Sequence, residues 1–155
     1  IQGRIFSFFN RETGSHNFQS DKAIESITSG GFFGKGIGEG TLKNFVPEAH
    51  TDYIISVISE EFGVVAIMLI LLLFLVLIYM VFKKINFETN DKIKLILIGS
   101  ISLILMQATI HIGVNIRLFP TTGMTLPFLS YGGSSIVSTS IISGIILNLT
   151  KRKIT

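Results

Sequence analysis

Glu48, His50 and Asp52 alternate with Ala49 and Thr51 in the short polar stretch Pro47 to Tyr53. Two carboxylates and an imidazole suit three kinds of chemistry. They could hold a divalent cation, although three ligands this close in sequence converge with difficulty and no second cluster accompanies them. Thr51 or Asp52 could instead cap a helix that starts just after them, leaving Glu48 merely solvated. Or one carboxylate could take a proton from an attacking hydroxyl as a general base. A Ser–His–Asp triad is not indicated, because no nucleophile elbow is present. Residue types alone leave the other three open.

Two more stretches carry candidate chemistry. Gly34, Gly36, Gly38 and Gly40 form a glycine run with Lys35 inside it and Lys43 just beyond. It is neither the dinucleotide fingerprint nor a Walker loop, because no Gly-Lys-Ser/Thr follows and no strand precedes. It reads first as a loop that needs positive φ. It reads second as backbone that approaches a phosphate, helped by Lys35 and Lys43. The stretch 115–133 mixes Arg117, Pro120, Gly123, Pro127, Gly132 and Gly133 with Leu118, Phe119, Leu126 and Phe128. Apolar side chains on backbone kept irregular by proline and glycine predict a dipping loop, tolerated at membrane depth only when buried in protein or lining a cavity.

The elements that must position these residues are membrane spans. Only 15% of the 155 residues are charged, against about 25% in ordinary soluble domains, and mean hydropathy is +0.61. The absence of cysteine excludes disulfides and thiol chemistry, and a formal charge of +3 gives nucleic-acid binding no support. The chain begins with Ile and its first residues are not a signal peptide, so it is expected to be a segment of a longer protein. Phe62 to Phe82 carry no charge; about 21 residues, or roughly 31 Å of helix, cross a bilayer. Spans are expected at about 53–82, 95–114 and 134–150. Glu60 and Glu61 lie in the first and should point into a bundle or a wet cavity. Gln107 and His111 share a face of the second, which reads first as helix contact and second as substrate contact. The third has small residues, with Ser140 and Gly144 at small-xxx-small spacing, which allows close packing. Upstream, Ser20 can cap a short surface helix that Gly30 and Gly31 end.

The fold class expected is therefore all-α, a polytopic helical membrane bundle. Lys83, Lys84, Lys92 and Lys94 flank the middle link, and Lys151, Arg152 and Lys153 follow the last span. By the positive-inside rule the link and the tail 151–155 are cytoplasmic, and 1–52 and 115–133 are external. The polar cluster and the proline–glycine loop then share one side of the membrane.

The words PEAHTDYI, SEEFG and GMTLPFLSYGGSS, in that order, resemble the SEDS family of bacterial envelope proteins, the FtsW/RodA/SpoVE group, as does the upstream FQSDKAIESITSGGFFGKGIGEGT. The resemblance covers nearly the whole chain. TLPF before LSYGGSS, and GEGT before the PE word, look more like the division type than the elongation type. The family fold is a bundle of about ten membrane-spanning helices, of which this chain matches the large external loop and the last three. The resemblance implies a peptidoglycan glycosyltransferase of the bacterial cytoplasmic membrane, acting at the division septum. It would polymerise lipid II, a disaccharide-pentapeptide on undecaprenyl pyrophosphate, beside a class B penicillin-binding protein. Asp52 of the H-T-D word would be the catalytic base. Lys43, Glu48, His50, Thr51, Arg117, Ser134 and Ser135 would contact substrate, and Lys43, Arg117, the glycine-loop amides or a divalent cation would meet the leaving pyrophosphate. Two departures bear on this. Family members often have Asn where His111 stands, and some division-type members have Lys where Thr122 stands. Lipid II flipping, or recruitment of the penicillin-binding protein without catalysis, are the competing functions.

Overall fold

The computed structural model describes residues 15–46 and 49–151. Its elements are α1 (Ser15–Gly30), α2 (Leu42–Phe45), α3 (Ile54–Phe87), α4 (Asp91–Asn115) and α5 (Gly133–Thr150). α3, α4 and α5 are each long and apolar enough to cross a membrane. α3 continues about a turn beyond Lys83 and Lys84, where Lys84 pairs with Glu88 at 3.1 Å; that contact holds the Glu88 carboxyl below its usual range. Long lysine stems can lie along apolar surface while their heads reach water, so the two lysines need not end the helix. The link shrinks to Glu88, Thr89 and Asn90, and Asn90 caps α4 by accepting from Lys92 N at 3.0 Å. α1 begins five residues before Ser20, which lies inside it and does not cap it.

α3 is not one continuous span. Gly63 has φ 79° and ψ −175°, backbone that an L side chain rarely adopts. Such a break frees carbonyls on one side and N–H groups on the other, and near a bilayer each needs a partner. The glycine turn after α1 supplies them. Lys35 N donates to Glu60 O at 2.8 Å and Gly36 N to Glu61 O at 3.1 Å, while Val64 N donates to Gly31 O at 3.0 Å and Val65 N to Phe32 O at 3.4 Å. A Cβ added at Gly34 would lie 2.2 Å from Glu61 O, and one at Gly63 2.2 Å from Phe32 O. The glycines thus allow two backbones to touch. With the Lys35 and Gly36 amides spent on α3, the phosphate-cradle reading of these amides is corrected to a structural one.

The same junction corrects the expectation for Glu60. Its side chain, 1% exposed, faces neither bundle nor wet cavity. Oε1 accepts from Lys35 Nζ and Thr41 Oγ1, both at 2.9 Å, and Oε2 accepts from Leu42 N at 3.0 Å. One carboxylate therefore ties the turn, the start of α2 and the first half of α3 into a single knot. Partners at this many sites are what make a buried carboxylate tolerable.

The core lies in three clusters, one of which, Ile55, Ala108 and Leu126, seats the proline–glycine loop between α3 and α4. Ala23, Leu42, Val46, Ala49, Tyr53, Val57 and Val114 pack α1 and α2 against the first half of α3 and the end of α4. Val81, Leu97, Ile101, Ile104 and Ile146 pack the three long helices at the other end. α5 turns Thr139 and Ile146 inward, whereas Ser140 and Gly144 are exposed among the described residues. The small-residue face therefore does not make the α4–α5 contact.

Candidate active site

Residues 50–53 form a turn between α2 and α3, and three successive carbonyls of it are held from outside. His50 O accepts from Tyr131 N at 3.2 Å. Thr51 O accepts from Ser130 Oγ at 2.8 Å and from His111 Nε2 at 3.3 Å. Asp52 O accepts from Asn115 Nδ2 at 3.0 Å. The polar cluster and the proline–glycine loop, far apart in sequence, meet through these bonds. A turn gripped at successive residues is the kind of rigid base from which a side chain can be aimed.

The Asp52 side chain is half-buried, and a Cβ added at Gly123 would lie 3.9 Å from its Oδ2. Its carboxylate therefore faces the proline–glycine loop at a point where Gly123, at φ 69°, has no side chain to crowd it. The N-cap position of α3 falls on Tyr53, which makes no side-chain capping bond, and not on Thr51 or Asp52 as the capping reading expects. Tyr53 is buried, and its hydroxyl lies 3.5 Å from Ser20 Oγ. Burial pushes that hydroxyl's pKa up, the Ser20 contact works against this, and the neighbouring Asp52 charge adds to the rise.

The other expected site residues are spread more widely. His50 is exposed and Thr51 half-buried. Arg117, at φ 61°, forms an ion pair with Asp21 of α1 and so ties the start of the proline–glycine loop to that helix. Ser135 Oγ accepts from Thr125 Oγ1 at 2.5 Å and from Gln107 Nε2 at 3.3 Å. Ser134 is exposed in the first turn of α5, and its carbonyl accepts from Ser138 Oγ at 2.9 Å. Lys43 lies in α2, with its side chain outside the described part, and Glu48 lies outside the described residues. A cation held by Glu48, His50 and Asp52 together therefore has no described geometry. Among the described residues no three His, Asp or Glu side chains gather to hold a metal.

Gln107 and His111 do share a face of α4, but they do not bond each other in the described hydrogen bonds. Gln107 Nε2 donates to Thr125 O at 3.0 Å, and His111 holds Thr51. The polar face of α4 is thus a rail on which both irregular segments hang. Sequence reasoning missed Asn115, Ser56 and Ser130. Asn115 is fully buried, and Ser130 Oγ both accepts from Leu126 N at 2.8 Å and donates to Thr51 O. The available signal was Asn115 four residues after His111, hence on the same face.

The family model described as "Cell cycle protein", for FtsW, RodA and SpoVE, matches residues 2–154. The chain is 41% identical over 138 residues to the probable peptidoglycan glycosyltransferase FtsW of Enterococcus hirae, covering 88% of this chain and 35% of that protein. It is 36% identical over 152 residues to the probable peptidoglycan glycosyltransferase FtsW of Geobacter metallireducens, covering 96% and 40%. It is 38% identical over 151 residues to stage V sporulation protein E of Bacillus subtilis, covering 96% and 41%. The chain thus spans well under half the length of these curated relatives.

Proposed function

Because this chain belongs to the FtsW/RodA/SpoVE family, we propose that it carries the catalytic base of a peptidoglycan glycosyltransferase that polymerises lipid II during septal wall synthesis. The observation that carries the reading is Asp52: its carboxylate is turned toward Gly123, on a turn fixed by α4 and the proline–glycine loop. In the reaction an acceptor sugar hydroxyl attacks the anomeric carbon of the donor. One C–O bond forms, the bond to the pyrophosphate breaks, and the pair of electrons leaves with the pyrophosphate. Asp52 accepts the hydroxyl proton, which strengthens the nucleophile as the bond forms. The leaving group needs positive charge. Lys35 is committed to Glu60 and Arg117 to Asp21, which leaves Lys43 as the first candidate among those named from the sequence. The whole protein would sit in the bacterial cytoplasmic membrane at the septum, beside a class B penicillin-binding protein.

The broken helix would suit a lipid II flippase if its freed backbone lined a transport path. The glycine turn occupies those groups instead, which favours the polymerase. The test is to incubate the purified full-length protein with lipid II and separate products by size. Glycan strands are expected. Movement of lipid II across vesicle membranes without any polymer would replace this reading by transport.

The orientation this mechanism needs follows from the lysines around the α3–α4 link. In a full-length background without other cysteines, Thr121→Cys is expected to react with an impermeant thiol reagent in whole cells, and Thr89→Cys only after lysis. The opposite pattern would put Asp52 on the cytoplasmic side and end the septal reading.

A further inference from the structure

Asp52 has the residue type that helix starts recruit, and it stands two residues before α3. An aspartate at a helix start ordinarily spends its carboxylate on the amide of the second or third helical residue. In this chain the third amide is served from elsewhere. Ser56 donates its backbone N–H to Asn115 Oδ1 at 3.2 Å and its hydroxyl to the same oxygen at 2.8 Å. The other end of that amide, Nδ2, donates to Asp52 O at 3.0 Å and to His111 O at 2.9 Å. Asn115 has 0% exposure.

The orientation of the amide is fixed by its neighbours. Turned over, it would set its NH₂ against the Ser56 N–H and its oxygen against two carbonyls. His111 agrees with the arrangement: its Nε2–H donates to Thr51 O, so its Nδ1 is the acceptor that faces Asn115 Nδ2 at 3.3 Å. Only a carboxamide has an acceptor at one corner and donors at the other.

We infer that Asn115 is the positioning residue for Asp52. It caps α3 from across the bundle, and with its second corner it holds the Asp52 carbonyl. The backbone from which the carboxylate projects is thereby fixed. This rests on the reading of Asp52 as the base. When Asn115 is removed, the Ser56 amide loses that partner and the Asp52 carbonyl loses its hold, so the backbone beneath the carboxylate can shift. The carboxylate is then displaced from the reacting hydroxyl.

The experiment uses the full-length protein and measures lipid II polymerisation per amount of folded protein. Asn115→Ala is expected to lower kcat by about 10²-fold, the scale of a misplacement of about an ångström, while KM changes by no more than about threefold. Asn115→Asp keeps the volume and the acceptor for Ser56 but sets an oxygen against the Asp52 carbonyl, and should lose kcat to a similar degree. Ser56→Ala leaves the Asn115–Asp52 bond in place and should stay within about threefold of the parent. In an Asp52→Asn background, Asn115→Ala should change the residual rate by less than about twofold, because the effect acts through Asp52. Normal kcat in both Asn115 variants while Asp52→Asn is inactive overturns the positioning role and leaves the base standing. Equal fractional losses in the parent and in the Asp52→Asn background also overturn it, since they mark a purely structural contribution. Normal activity in Asp52→Asn itself removes the base reading on which the inference rests.

Discussion

Asp52→Asn in the full-length protein is expected to abolish glycan strand synthesis while protein level and partner binding survive. A carboxylate that accepts a proton from the attacking hydroxyl contributes about 10²–10⁴ in rate, and an amide of the same shape cannot accept it. The fold should tolerate the change for two reasons. The backbone carbonyl that Asn115 holds is present in either residue, and the third amide of α3 donates to Asn115. Loss of activity can then be assigned to the missing base and not to a failed helix start. The measurement is lipid II polymerisation, with expression and pull-down of the proposed penicillin-binding partner alongside. A rate above about a tenth of the parent's, a loss smaller than the least benefit expected of a general base, would show that Asp52 is not the base.

The largest effect on stability is expected at Gly63. At φ 79° and ψ −175°, backbone that essentially only glycine adopts, an L side chain carries about 1–3 kcal/mol of strain. The new Cβ would also lie 2.2 Å from Phe32 O and 2.5 Å from Gly34 N. Neither can move away easily, because Phe32 O is bonded to Val65 N and Gly34 N to Gly30 O. Gly63→Ala should therefore destabilise by more than about 3 kcal/mol, in the range reserved for strain and overpacking together. Gly144→Ala is the comparison: nothing lies within 4 Å of its new Cβ, and an alanine within a helix is neutral or stabilising by up to about 1 kcal/mol. Thermal melting of both in detergent decides the matter. Equal melting temperatures would mean that the glycine turn is not seated in the helix break as described.

Those two residues mark what could be read in the sequence and what could not. The three long helices were legible because length and apolarity suffice to identify a span. That the polar cluster and the proline–glycine loop share one face was legible from the span count, since the two spans between them return the chain to the side it left. The break at Gly63 was not. A single glycine in an apolar run is tolerated in many helices, and its positive φ becomes necessary only when another backbone presses against it. That backbone is the glycine turn some thirty residues earlier, and each stretch looks locally self-sufficient. Glu60 misled for the same reason: a carboxylate in a span suggests a wet cavity, but here the break takes it out of the apolar stretch and gives it to Lys35, Thr41 and Leu42. Asn115 escaped because most of the groups it holds are backbone, which leaves no trace in residue type, and Ser56 because its described side-chain bond is to that same Asn115.

The seat between the glycine turn and α3 also bears on how the chain enters a bilayer. Residues 31–36 emerge from the ribosome before residues 60–65, so the acceptors are made before the donors that need them. Val64 and Val65 lead the apolar stretch toward lipid, where an unbonded N–H costs several kcal/mol. Gly31 O and Phe32 O cover those two groups, a few residues from Glu60 and its Lys35 partner. Insertion of this span is therefore expected to depend on the docking of a segment synthesised ahead of it. A chain whose turn has not yet seated presents the membrane with a helix lacking its leading partners.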